Sequence, residues 1–199
     1  MSSGGTASYE GVTEIPDIVG EALDLARRLG FALSCRPEQG RLLRLLAAGR
    51  PGGTVGETGT GCGVGLAWLL SGAGPSTAIY SVESDEERVT ACRRLFAAHH
   101  NVSIERADWH QLFEHGPFDL LFLDGGGSGK SEAPLEVEEA LVLGGTVVID
   151  DFTPMGEWPP TYLGVADHAR LHWLEHRSLK ATEIRLAPDL AALVATRVR

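Results

Sequence analysis

The chain has 199 residues, 43% apolar and 22% charged, with 17 basic against 27 acidic side chains and a formal net charge of −10. That length suits one well-buried domain, and no apolar run approaches the roughly 18 residues that a membrane-spanning helix requires. The negative charge would repel phosphate backbones, and the basic clusters "RLLR" and "CRR" are too short to override it, so nucleic acid is a poor partner.

Residues 1–15 open with "MSSGGTASYEG", which lacks the basic flank and apolar core of a secretory signal and reads as a mobile tail or flap. Cys35, Cys62 and Cys92 are odd in number, widely spaced and without a CxxC or Cys/His pattern, which predicts a reduced cytoplasmic compartment. Residues 16–50 carry two helices. In the first, Val19, Ala22, Leu25, Ala26 and Leu29 recur at three- and four-residue steps after Pro16; the second follows Pro37 through Leu42, Leu45 and Leu46 and ends near "GRPGG".

From residue 51 to 199 strand and helix alternate. Thr54 to Thr58 and Ala78 to Val82 read as strands, and Ser84 with Glu87 forms a capping box for a helix bearing Val89, Cys92, Leu95 and Phe96. Val102 to Arg106, Phe118 to Leu123 and Thr146 to Ile149 are further strands, the last two continuous apolar runs typical of a sheet covered on both faces. A short helix is expected after Pro134 and another from Tyr162 to Glu175. "ATEIRL" and "AALVATRV", separated by Ala187-Pro188-Asp189, read as a terminal hairpin. This order argues an α/β fold, a doubly wound sheet whose ligands lie beyond the carboxyl ends of its strands.

"GETGTGCGVG", Gly56 to Gly65, follows the first strand directly and precedes an apolar helix. Glycine there lets the backbone approach a ligand closely. The dinucleotide spacing GxGxxG fails in both registers, at Val64 and at Leu66, which disfavours NAD. Glu57 fits poorly beside a pyrophosphate but suits a ligand carrying an ammonium group. The next strand ends at Glu83, where an acid can accept ribose hydroxyls. The third ends in "RADWH", with Asp108 able to accept from an adenine amino group and Trp109 offering a stacking face.

With these acids at successive strand ends, the chain resembles the class I S-adenosylmethionine-dependent methyltransferases over about residues 37–199. Glu57 to Gly63 matches that family's E-x-G-x-G-x-G, and Glu83 and Asp108 match its two further cofactor positions. "LSCRPEQGRLL", "LFLDGG" and "GGTVVIDDFTP" are most similar to the small bacterial catechol and caffeoyl-CoA O-methyltransferases. The resemblance implies a seven-stranded Rossmann-like sheet, mostly parallel with a C-terminal antiparallel hairpin. It assigns cofactor contacts to Glu57, Gly59, Thr60, Gly61, Gly63, Glu83, Ser84, Asp108, Trp109 and Asp124. That group commonly carries a Ser or similar polar residue at the position of Gly65, which leaves backbone amides here to hold the methionine carboxylate.

"GGGSGK" ending at Lys130 looks like the close of a phosphate-binding loop, but its first glycine position is Asp124, whose carboxylate would face the phosphates. A nucleotide hydrolase is therefore disfavoured. Asp124 ends one strand and Asp150 and Asp151 the next, so adjacent parallel strands bring three carboxylates to one rim. In the metal-dependent O-methyltransferases resembled, these positions bind a divalent ion; Mg²⁺, Mn²⁺ or Ca²⁺ suits such oxygen ligands. An acceptor with vicinal oxygens could complete the ion's shell in line with the sulfonium methyl. The plainer reading has Asp150 capping a turn and Asp151 facing solvent. Asp124 and Lys130 are the candidate catalytic groups, although Lys130 stands six residues past Asp124 where the family's lysine stands three. "FTPMGEWPPTY" reads as an acceptor wall, with Trp158 as the substrate contact. The expected activity is methyl transfer to a hydroxyl of a small catechol-like acceptor, in a chain compatible with a homodimer; the rival expectation is a cofactor-binding sensor or assembly subunit without transferase chemistry.

Overall fold

The computed structural model describes residues 4–124 and 135–199. Two helices form the first layer. α1 (Asp17–Arg28) follows Pro16 and carries Asp17 in its first turn and Arg27 and Arg28 in its last, each charge complementing the helix dipole. α2 (Pro37–Ala48) starts with Pro37, where the missing N–H loses no helical bond. Gly40 on α2 lies so close to Trp68 that an added Cβ would stand 2.2 Å from the indole nitrogen, so only glycine lets these helices meet. Within the segment read as a tail or flap, Tyr9 is buried; its hydroxyl donates to the Cys35 carbonyl at 2.8 Å and accepts from Trp68 Nε1 at 2.8 Å.

The sheet has seven strands: β1 (Thr54–Thr58), β2 (Ala78–Glu83), β3 (Val102–Arg106), β4 (Phe118–Leu123), β5 (Leu141–Phe152), and, after a separate two-strand hairpin of β6 (Thr161–Tyr162) and β7 (Val165–Ala166), β8 (Leu179–Ala187) and β9 (Leu190–Arg197). Their order is β3-β2-β1-β4-β5-β9-β8. β1 to β5 pair in parallel, while β9 runs antiparallel to β5 and β8. Along β4 the faces alternate. Leu120 and Phe122 join the cluster under α1, α2, α3 (Val64–Gly72) and α4 (Glu86–Leu95), and Leu121 and Leu123 join the one on the opposite face with α5 (Val137–Ala140) and α6 (His168–Leu174). The strand order reverses between β1 and β4, with β2 and β3 laid down on one side and β4 and β5 on the other, and a crevice opens beyond their carboxyl ends at that switch point.

Two local expectations need correction. The cap of α4 is Asp85, whose carboxylate accepts from the Arg88 N–H at 2.9 Å; Ser84 stands one residue before it. The expected helix from Tyr162 begins at His168, capped by Asp167, because Leu163 and Gly164 both take positive φ and turn the preceding residues into the β6–β7 hairpin.

Candidate functional site

Glu57 lies on β1 opposite Ser81 of β2 and Phe122 of β4, and is 1% exposed. Its Oε2 accepts from Ser81 Oγ at 2.6 Å, and Ser81 also bonds Thr60 Oγ1 at 2.6 Å. The other oxygen, Oε1, is closed off from solvent and has no hydrogen-bond partner among the described residues. Burial pushes the carboxyl up to about 8, against the Ser81 hydrogen bond, with the charges of Glu83 and Asp150 adding to the rise. A Cβ at Gly65 would fall 2.4 Å from Glu57 Oε1. The missing side chain at residue 65 is therefore the space that Glu57 occupies.

The glycine loop spends its own amides internally. Gly59 and Thr60 N–H both donate to the Val82 carbonyl, Gly61 N–H to Glu83 Oε2 at 2.9 Å, and Gly63 N–H to the Thr60 carbonyl. Gly59, Gly61 and Gly63 all have positive φ, which is what this winding demands of them. An anionic ligand would instead meet the start of α3, where Val64, Gly65 and Leu66 have no carbonyl four residues back inside the helix. Val64 and Gly65 border the cavity described next, and Gly63 does not.

That cavity, of about 390 Å³, opens beyond the carboxyl ends of β1, β2 and β4 and the loop after β3. Of the residues singled out in the sequence, Gly59, Thr60, Gly61, Glu83, Ser84, Asp108, Trp109 and Asp124 line it. Arg88 of α4 and Phe31, Leu33, Ser34 and Cys35 of the α1–α2 connection, to which the sequence assigned no site role, also line it. Glu83 Oε1 accepts from Asp85 N–H and Arg88 Nη2, each at 2.9 Å. Burial would raise this carboxyl, but the bonds from Arg88, Asp85 and Gly61 outweigh it and hold Glu83 below its ordinary value. Asp108 caps the 3₁₀ segment Trp109–His115, accepting from His110 N–H at 3.0 Å and pairing with the His110 ring, which also packs on Trp109.

Asp124, Asp150 and Asp151 each offer an oxygen within 4.8 Å of the others. Adjacent residues on a regular strand point to opposite faces, so Asp150 and Asp151 reach one rim through an irregularity. Between Ile149 and Phe152 the pairing with β9 shifts register, from Leu193 to Ala191, and Asp151 takes φ 58°. This bulge, of the kind that re-aims side chains, turns Asp151 beside Asp150, which is 6% exposed. Asp124, held by a 2.8 Å bond from Thr58 Oγ1 to its carbonyl, belongs both to this acidic cluster and to the cavity wall. Lys130 lies outside the described residues. Trp158 is 61% exposed and is not among the residues lining the cavity.

Residues 57–152 match the family model of a methyltransferase domain. Similar solved structures include cofactor-bound Rv0187 from MTB (21% identity, covering 100% of this chain and 99% of that one, TM-score 0.75). An O-methyltransferase from Bacillus cereus in complex with SAH is 18% identical, with 97% and 96% of the two chains covered and a TM-score of 0.73. The O-methyltransferase TomG from Streptomyces achromogenes, involved in tomaymycin synthesis and in complex with SAM, is 19% identical, with 98% and 96% covered and a TM-score of 0.73. No curated protein matches the sequence. No described helix is long and apolar enough to cross a membrane.

Proposed function

We propose that this chain, whose residues 57–152 match a methyltransferase-domain model, is a class I S-adenosylmethionine-dependent methyltransferase that methylates a hydroxyl of a small, catechol-like acceptor with a divalent metal at the acidic rim. The observation that carries this reading is the double membership of Asp124, in the cavity wall and in the three-carboxylate cluster. It puts the place where a metal would hold an acceptor directly beside the place where the cofactor would lie.

The residues present fit both groups. Glu57 Oε1, buried without a partner among the described residues, suits the cofactor's ammonium, and the start of α3 suits its carboxylate. Glu83 would accept from the ribose, and Asp108 and Trp109 would meet the adenine. Three hard carboxylate oxygens within 4.8 Å suit Mg²⁺, Mn²⁺ or Ca²⁺. The cofactor would supply an electrophilic methyl group, and the metal a Lewis acid that lowers the pKa of an acceptor hydroxyl. The chain's own part is positioning. Glu57 would hold the amino-acid end of the cofactor and Glu83 its ribose, Asp150 and Asp151 would orient the acceptor from the bulge, and Asp124 adjoins both.

Calorimetry with S-adenosylhomocysteine and a methylation assay over a phenol and catechol panel test this. Binding in the micromolar range, with turnover lost in EDTA and restored by Mg²⁺ or Mn²⁺, is expected. Tight binding with no turnover on any acceptor in the presence of metal would favour a cofactor-binding subunit instead, and undiminished turnover in EDTA would remove the metal.

A further inference from the structure

Arg88 is the one basic side chain among the described residues that line the cavity, and it stands on the carboxylate proposed for the ribose. Its hold there has several independent points. Nη2 reaches Glu83 Oε1 at 2.9 Å, Nη1 stands 3.6 Å from Asp85 Oδ2, and the Arg88 backbone N–H is the donor that Asp85 caps. Its Cζ lies 5.4 Å from the centroid of the Phe31 ring. Phe31 itself packs over Gly61, since a Cβ at residue 61 would meet its ring carbons at 3.0 Å. The guanidinium is thus clamped between an aromatic face and a carboxylate at 29% side-chain exposure.

A carboxylate offers about four lone-pair directions, two on each oxygen. On Glu83, Oε1 receives the Asp85 N–H and Arg88 Nη2, and the Ser84 hydroxyl at 3.4 Å adds a third, longer contact. Oε2 receives the Gly61 N–H alone among the described residues. One direction is left, on Oε2. A ribose diol presented to an unencumbered carboxylate can give one hydroxyl to each oxygen, but this one has room for a single donor.

We propose that Arg88 determines how the ribose is read: while its guanidinium sits on Glu83 Oε1, the site recognises one ribose hydroxyl, through Oε2, and is indifferent to the other. The inference rests on the reading of this cavity as the S-adenosylmethionine pocket. Arg88 is then a specificity-determining residue. It trades the second hydroxyl contact for a fixed, ionised Glu83, and it leaves one ribose position open to change without loss of affinity.

The experiment measures dissociation constants of S-adenosylhomocysteine and of its 2′-deoxy and 3′-deoxy analogues by calorimetry on the full chain, in the wild type, in Arg88→Ala and in Arg88→Met. In the wild type one deoxy analogue should bind within about twofold of the parent, and the other should lose about tenfold or more, the scale of a hydrogen bond to a charged acceptor. In both variants, with Oε1 freed, each analogue should lose about tenfold relative to the parent. Equal losses for the two analogues in the wild type would overturn the proposal, because the guanidinium must then give way. Variants that keep the wild-type pattern would overturn it as well. Failure of the wild type to bind S-adenosylhomocysteine at all is a different result: it would overturn the cofactor reading, and the inference with it.

Discussion

Replacing Glu57 with Gln should remove a pH dependence of stability that this one buried carboxyl imposes. In the folded chain burial pushes Glu57 up to about 8, from an ordinary value of 4.5. Below pH 4.5 it is protonated in both folded and unfolded chains and costs nothing. Between 4.5 and 8 the unfolded chain loses this proton and the folded chain keeps it, so stability falls by about 1.4 kcal/mol per pH unit. Across the whole window the loss is on the order of 5 kcal/mol; above pH 8 both states are ionised and the slope ends. Gln keeps the shape and the acceptor for Ser81 Oγ but has no proton to lose. Urea unfolding of both proteins between pH 5 and 8, with unchanged m values, isolates the group because the other carboxylates cancel in the difference. The wild type should lose ground to the variant steadily as pH rises. Parallel profiles would refute the reasoning. The same carboxyl predicts proton release when S-adenosylhomocysteine binds near pH 7, since an ammonium beside Oε1 favours the ionised form. Calorimetry in buffers of differing ionisation heat should detect it in the wild type and lose it in Glu57→Gln.

Three further changes test neighbouring parts of the site. Gly65→Ser would drive a Cβ to 2.4 Å from Glu57 Oε1 and should cost about 1–3 kcal/mol in urea, the range for overpacking; an unchanged midpoint would mean that Glu57 moves away freely. Gly61→Val combines φ 54° with a Cβ at 3.0 Å from the Phe31 ring and should abolish S-adenosylhomocysteine binding, whereas normal affinity would reduce the loop to a turn. Asp151→Asn keeps a residue that tolerates φ 58° while removing one of three crowded charges. It should gain much less than the wild type on adding Mg²⁺, and equal Mg²⁺ shifts in the two proteins would sink the metal assignment.

The sheet was legible because its strands are written as apolar runs between turn signals. Val102–Arg106 and Phe118–Leu123 appear with the bounds the sequence suggested. Local capping was less legible: Ser84 and Asp85 are both good caps, and only the backbone geometry chooses Asp85. The helix expected from Tyr162 failed because Leu163 carries φ 50°, a conformation its side chain does not announce. At the site, the acids at strand ends could be read, but their couplings could not. Gly65 looked like a lost polar contact until Glu57 was seen to fill its space. Arg88, five residues past Glu83 on a helix rich in charge, carries no local signal that sets it apart from its neighbours. The pair Asp150-Asp151 signalled a rim, yet period-two geometry alone would have sent one of the two inward. The bulge that reunites them arises from pairing with β9, more than 40 residues away in sequence.

These couplings share one electrostatic logic. Glu57, Glu83, Asp124, Asp150 and Asp151 crowd the ends of β1, β2, β4 and β5. Arg88 neutralises Glu83, and neutrality by protonation relieves Glu57. The three aspartates add acidic groups to the same end of the sheet, each with an oxygen within 4.8 Å of the others. Two cations would suit this acidic end: an ammonium at Glu57, which would also return that carboxyl to its charged form, and a divalent ion at the rim. Each should bind more tightly once the other is seated only to the extent that it relieves charge the other also feels. Glu57 and Asp150 feel one another, since the charge of Asp150 contributes to the rise at Glu57. Metal at the rim should therefore draw the Glu57 carboxyl back down, weakening its hold on its own proton before the cofactor arrives, so that cofactor binding near pH 7 releases fewer protons with Mg²⁺ present than without it.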